Sequence, residues 1–376
     1  MVFGAGALSL GFLGPLLSED YGLVFCDLDV KGDLIRLLQK ENAYLINLCS
    51  DKVSALRVQG VTGFNLSLKE EREEVKKMLG KTEILFTAVG NSGIDETLNF
   101  IKDNYGINRK KKLHIFLAEN DKNILKRWVG RLGNKVKLHD TIMGRMCRFE
   151  SVEDNYQPVA PGFPQALVAE DFFGLPVPSD VYREARLKGR AWEVMSEETF
   201  EAKSYLKLFA HNGLHAYLSY LGSLRGIKYF YQADPPLLSE GEILLRKEVC
   251  PAILKKYGDC LVPAEVHRYC DKLIGRVTNP VFRDTIERGT RGSWDKIGAA
   301  ERLVGGAKFI LNNGFLPKYY CRIIAAGIML NINLRMSDQL IAKITREHCG
   351  IREKKLADLI KKAVKDMEKK YGEETN

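Results

Sequence analysis

Gly4-Ala5-Gly6-Ala7-Leu8-Ser9-Leu10-Gly11 follows the apolar run Met1 to Phe3 and opens a stretch with helical spacing. Strand, glycine turn and helix in this order begin a doubly wound α/β domain: a turn without bulky side chains leaves the amides of the helix N-terminus open to an anion. Outward from the turn, short apolar runs recur at Leu23 to Cys26, Ile84 to Ala88 and His114 to Ala118. Charged stretches such as Lys69 to Leu79 supply crossover helices between them. That alternation predicts a parallel, Rossmann-type sheet. Between Tyr156 and Ser179, Pro158, Pro161, Pro164, Pro176 and Pro178 disfavour helix and predict an extended, turn-rich connection or edge strands. From about Glu197 the pattern is helical, with runs at Glu197 to Leu221, Leu237 to Tyr257, Ala264 to Ile274, Trp294 to Asn312 and Lys354 to Tyr371. The expected organisation is a dinucleotide-binding domain over 1–190 and a mostly α-helical substrate domain over 191–376.

Bulk properties agree with two domains and narrow the function classes. A chain of 376 residues with 45% hydrophobic content exceeds what one core usually organises. The net charge of +9 comes from both signs interspersed along the chain, which favours a phosphorylated or carboxylated small substrate over nucleic acid. Eight cysteines without a CxxC pair give neither a zinc ribbon nor a disulfide scaffold. No long uninterrupted apolar run occurs, so the expectation is a cytoplasmic protein with no membrane partner, a monomer or small homo-oligomer.

Around the glycine turn, Gly4, Ala5, Gly6, Ser9, Leu10 and Gly11 are candidate contacts of a pyrophosphate. Asp27 stands 23 residues after Gly4, at the end of the second apolar run, where a carboxylate accepts hydrogen bonds from ribose hydroxyls. A carboxylate there repels a 2′-phosphate, and no arginine follows in Leu28-Asp29, so NAD is expected rather than NADP. Thr87, Ala88 and Val89, ahead of Gly90, add a small-residue turn where the dinucleotide crosses the sheet edge. The third glycine of the usual fingerprint is Ser9, and only three residues precede Gly4, so either the first strand is short or residues are missing upstream. The competing reading is a glycine-rich surface turn with Asp27 as a cap.

Lys207-Leu208-Phe209-Ala210-His211-Asn212-Gly213-Leu214-His215 lies within a strong helical pattern. With each residue advancing about 100°, Lys207, Asn212 and His215 fall within an arc of about 140°. An amine, an amide and an imidazole on one face supply a base for a hydroxyl proton and donors for a developing oxyanion. The bland alternative is a solvated lysine and a satisfied core histidine. His211 and His215 have metal-ligand spacing, but no HExxH carboxylate accompanies them and no metal is expected.

In ordered blocks along nearly its whole length, the chain resembles the polyol-specific long-chain dehydrogenases, the mannitol dehydrogenase family, and within it the mannitol-1-phosphate 5-dehydrogenase branch. The blocks are Phe3-Gly4-Ala5-Gly6 with Gly11-Phe12-Leu13-Gly14, Thr87 to Gly90, Ala118-Glu119-Asn120, Lys207 through Leu218, Asn279-Pro280 with Asp284, Lys296 with Glu301-Arg302-Leu303, and Gly314 to Pro317. The resemblance implies a lysine base at Lys207, with Asn120 and Asn212 holding the reactive oxygen and Asn120 also beside the cofactor. It further implies His215, Arg288 and Lys296 as contacts of the polyol, and metal-free hydride transfer with NAD between mannitol 1-phosphate and fructose 6-phosphate. A free polyol or a hexuronate (tagaturonate, fructuronate) is the alternative substrate, and a catalytically weak NAD-binding regulator the alternative class. Three positions depart from the family pattern: Gly144 replaces an acidic residue before Arg145, Leu10 stands where relatives carry arginine, and Asp121 follows Asn120 in place of an apolar residue.

Overall fold

Six parallel strands form the central sheet of the N-terminal unit, in a computed structural model that describes every residue except 107–110, 120–122, 153–155, 333–334 and 372–376. In chain order the strands of this unit are β1 (Val2–Phe3), β2 (Leu23–Asp27), β3 (Ala43–Cys49), β4 (Val53–Gln59), β5 (Val61–Asn65), β6 (Ile84–Thr87), β7 (Leu113–Leu117), β8 (Val136–Asp140), β9 (Cys147–Ser151), β10 (Gln165–Glu170), β11 (Leu175–Pro178) and β12 (Trp192–Met195). The sheet order β5-β2-β1-β6-β7-β8 is that of a doubly wound dinucleotide fold, with the reversal between β1 and β6. β1 has only two residues, yet it is fully buried and pairs on both sides, Val2 with Phe25 and Phe86.

Crossover helices form where the charged stretches place them, including Lys69–Leu79 with Val75 and Leu79 as its buried positions. The proline-rich segment behaves differently from its expected role as connection or edge. Its strand β10 is central in a second sheet of order β4-β3-β10-β9, parallel to β3 and antiparallel to β9. The prolines flank β10 and leave Gln165–Glu170 free of the residue that lacks a backbone donor.

The N-terminal unit runs Met1–Phe200 and the C-terminal unit Glu201–Asn376. The first continues past residue 190 because β12 pairs in parallel with β11 and carries Trp192 to within 5.5 Å of the Phe116 ring and 6.2 Å of Phe86. A sequence reading misses β12, since its partner β11 pairs Leu175 with Trp192 from a stretch that reads as loop.

The second unit is helical. Among its described residues the longest helix is Lys354–Tyr371, whose buried face of Leu356, Ile360, Val364 and Met367 packs on the helix Lys318–Asn331. The expected run Trp294 to Asn312 is broken into Ser293–Lys296 and Arg302–Asn312. Two other runs are interrupted by π-turns rather than ended. Glu197–Leu206 passes through Lys207–His211 into Asn212–Leu224, and Pro235–Ile243 passes through Leu244–Val249 into Cys250–Tyr257. Among the described residues no helix is long and apolar enough to cross a membrane, and all eight cysteines are free.

Candidate active site

In the N-terminal unit the glycine turn is built by close approach. Gly4 has φ of 99°, and a Cβ there would collide with the Ala88 carbonyl oxygen, so only glycine lets β1 and β6 lie this close at the reversal point. Gly6 is different: a Cβ there would meet nothing within 4 Å, which leaves open space beside the turn for a ligand's phosphates. The Asp27 carboxylate accepts from the Ala5 amide at 2.6 Å and from the Leu28 amide at 2.7 Å. It holds the turn, and a carboxylate with four lone-pair sites retains acceptor capacity for ribose hydroxyls.

Ser9, Leu10 and Gly11 sit in a π-turn, Ser9–Leu13, with every residue buried. The Ser9 hydroxyl donates to Gly6 O at 3.0 Å, and Leu10 is fully enclosed by the core, so both side chains serve the fold. Gly11 is required because a Cβ would lie 2.8 Å from Cys147 Sγ. Its carbonyl accepts from Arg145 Nη1 at 2.7 Å. Gly144, before that arginine, has the Phe172 ring where a side chain would go, with Cε1 2.8 Å from a Cβ.

Thr87 is buried at the end of β6, while Ala88 and Val89 form the turn that follows. Glu119 anchors this turn: its carboxylate accepts from the Val89 amide at 2.9 Å and the Gly90 amide at 3.0 Å. Burial pushes the Glu119 carboxyl up, opposed by those same amides and by Thr87. Sequence reasoning gave Glu119 no role, because an acid at a strand end reads as surface. Asn120 and Asp121 lie outside the described residues.

In the C-terminal unit the second constellation is carried by the interrupted helix. The Asn212 amide donates to Lys207 O, the i to i−5 bond that defines a π-turn. One extra residue in the turn sets later residues back by about 100°, which narrows the arc of Lys207, Asn212 and His215 from about 140° to about 60°. A regular α-helix, as the sequence implies, would have spread the three groups more widely. Asn212 Nδ2 is buried without a partner among the described residues, a donor left for something else to accept.

His215 Nε2 lies 3.3 Å from Asp284 Oδ2, and the imidazole is backed by the Phe230 ring at 4.5 Å between centroids. Asp284 also accepts from Arg288 Nε at 2.6 Å and from Arg288 Nη2. Burial would push the Asp284 carboxyl up, but the hydrogen bonds from His215 and Arg288 outweigh it and hold the group well below the usual carboxylate range. Burial also lowers His215, against the pull of Asp284, so the imidazole is neutral near pH 7. An ionised carboxylate only accepts, so Nε2 carries the proton and Nδ1 is the acceptor. Lys296 Nζ donates to Gly289 O at 3.1 Å, and its amine is brought down to about 8 by burial, then by the nearby Arg302 and Arg288. His211 is buried, lowered well below 6.5 by burial and then by Lys207 and Arg276, and its Nδ1 has no partner among the described residues. Asp284 joins His215 to Arg288; the sequence signals for it were its place in the Asn279-Pro280 block of the resemblance, which gave it no role, and its i, i+4 spacing to Arg288.

The model of the mannitol dehydrogenase Rossmann domain matches residues 1–149, and that of the mannitol dehydrogenase C-terminal domain matches 200–370. The chain belongs to the mannitol dehydrogenase family. It is 27% identical over 384 residues to the mannitol-1-phosphate 5-dehydrogenase of Bacillus subtilis (strain 168), covering 93% of this chain and 94% of that one. It is 29% identical over 322 residues to the enzyme of the same name from Geobacillus stearothermophilus, covering 81% and 80%. Its fold is that of the Pseudomonas fluorescens mannitol 2-dehydrogenase solved as a ternary complex with NAD and D-mannitol, with a TM-score of 0.70 at 12% identity, covering 100% of this chain and 92% of that one. As a mannitol dehydrogenase family member it is a polyol oxidoreductase, which fits a Rossmann turn in one unit and an amine, amide and imidazole face in the other.

Proposed function

We propose that this protein interconverts a sugar alcohol phosphate and a ketose phosphate using NAD, with mannitol 1-phosphate and fructose 6-phosphate as the leading pair, in the cytoplasm. The observation that carries the reading is the single polar face of the interrupted helix, where Lys207, Asn212 and His215 share one arc and the buried Asn212 amide donor has no partner among the described residues. The glycine turn, Asp27, and the Thr87, Ala88 and Val89 turn would hold the dinucleotide, and the open space at Gly6 fits its phosphates. When bound, NAD accepts or returns the hydride at the carbinol carbon. Lys207 takes the hydroxyl proton as that hydride leaves. Asn212 donates to the oxygen as its charge develops, and Asn120 is assigned the same task by resemblance. His215 Nδ1 accepts from a neighbouring hydroxyl, its ring fixed by Asp284 and Phe230.

The cations grouped near this face are Lys207, Arg276, Arg288, Lys296 and Arg302, set against the buried Asp284 carboxylate. That imbalance favours a phosphate dianion over a neutral polyol. One observation supports a second candidate for the base: Lys296, brought down to about 8, is closer to the working pH than an ordinary lysine. NADH oxidation measured with fructose 6-phosphate, fructose, tagaturonate and fructuronate tests the reading. The expected order places fructose 6-phosphate first by at least about a hundredfold in kcat/KM. A faster reaction with a hexuronate or with fructose overturns the phosphate assignment, and NADH binding without turnover of any ketose overturns the enzymatic one.

A further inference from the structure

Glu248 is buried at the π-turn Leu244–Val249, and its two carboxylate oxygens accept from the backbone amides of Tyr319 at 2.8 Å and Tyr320 at 2.9 Å. Those amides belong to the first turn of the helix Lys318–Asn331, where otherwise unpaired donors and the helix dipole both favour an anion. Tyr320, one of the two donors, is fully buried, and its ring is wedged between two glycines. A Cβ at Gly213 would lie 3.0 Å from Tyr320 Cε2, and a Cβ at Gly306 would collide with the phenol hydroxyl. Gly213 directly follows Asn212, the residue that closes the π-turn back to Lys207 O. The π-turn containing Lys207 also packs on the one containing Glu248 and on the helix Arg302–Asn312.

We propose that Glu248 is a positioning residue of the catalytic turn: by fixing the Tyr319 and Tyr320 amides it sets the depth of the Tyr320 ring against Gly213, and so the placement of Asn212 and Lys207. This rests on the catalytic reading of those two residues. The ionised carboxylate is the form that holds both amides, since a protonated carboxyl is the weaker acceptor. Burial raises the group to about 7 against the amides of Tyr319, Tyr320 and Lys318 and the Lys318 ammonium. The other titratable groups coupled to it are Tyr320 and Cys321 of the same helix; Arg302, from the helix packed alongside, acts on Tyr320. The hold therefore tightens above about pH 7 and relaxes below it.

The test is amide hydrogen exchange across residues 204–216 of the full chain, corrected for intrinsic rates, from pH 6 to 8.5 in the wild type, Glu248→Gln and Tyr320→Leu. Protection of this segment is expected to fall about tenfold in the wild type as pH drops through 7. In Glu248→Gln it is expected to be low and independent of pH, and in Tyr320→Leu low at every pH with the Glu248 hold intact. Where a ketose is turned over, kcat of Glu248→Gln falls about tenfold with KM within twofold, and Glu248→Asp recovers part of it. Wild-type protection and pH dependence in Glu248→Gln overturn the proposal. Should the Gln variant not fold, Glu248→Asp, which keeps the charge and shortens the reach, must shift the exchange midpoint or the proposal fails. If the wild type reduces none of the ketoses, the functional reading falls while the exchange result still decides this one.

Discussion

The helix after the glycine turn and the helix bearing Lys207 both open into a five-residue π-turn, Ser9–Leu13 and Lys207–His211, and they use it in opposite ways. In the first, all five residues are buried, and what a nucleotide would meet is backbone beside the open space at Gly6. In the second, the extra residue swings polar side chains onto one face, where the Asn212 amide donor has no partner among the described residues. The same backbone device packs a helix tightly against a sheet in one unit and gathers the proposed catalytic groups in the other. Side chains should therefore matter little to cofactor binding at the first and greatly to chemistry at the second.

The largest expected effect is at Lys207. Lys207→Ala should lower kcat by about a thousandfold while NADH affinity by calorimetry changes less than twofold. If Lys296→Ala shows the larger loss in kcat and Lys207→Ala only a raised KM, the base is the lysine held near 8 and the two roles exchange.

Next comes Asp284, the carboxylate shared by His215 and Arg288. Asp284→Asn leaves a guanidinium partly buried without its counter-charge, at a cost of about 3–5 kcal/mol, visible as a lowered urea midpoint. An unchanged midpoint would mean the pair is not the buried support described here.

Gly4→Ala places a methyl against the Ala88 carbonyl at a φ of 99°. A loss of about 1–3 kcal/mol in stability and at least tenfold weaker NADH binding should follow. The smallest effect belongs to Ser9→Ala, which removes one hydrogen bond to Gly6 O, worth about 1 kcal/mol, and should leave NADH binding within twofold. If Ser9→Ala weakened NADH binding more than Gly4→Ala, the contrast between a backbone site and a side-chain site would be lost.

Much of this was legible in the residues. The order of apolar runs and glycine turn led to the doubly wound sheet, and the spacing of Lys69 to Leu79 and Lys354 to Tyr371 gave helices with those same ends. The second sheet was not legible as a sheet: β3 with β4 and β9 with β10 are local pairs, but the pairing of β10 with β3 that joins them links Asn47 to Val168, and a proline-flanked strand reads as connection or edge. The candidate site shows the same split. Lys207, Asn212 and His215 were found from local spacing, whereas Glu119 and Glu248 work through amides that are distant in sequence, 29–30 and 71–72 residues away.

By itself the sequence determined what depends on neighbours along the chain: the strand–turn–helix order, the acidic end of β2, and the lysine, asparagine and histidine of one helix proposed for catalysis. Only the tertiary structure decided that the helix carrying them widens by one residue at Lys207, that Asp284 locks His215, and that Tyr320 abuts Gly213. Hydrogen-bond pattern within a turn and contact between helices are set by what packs against them, and helical periodicity alone carries no record of either.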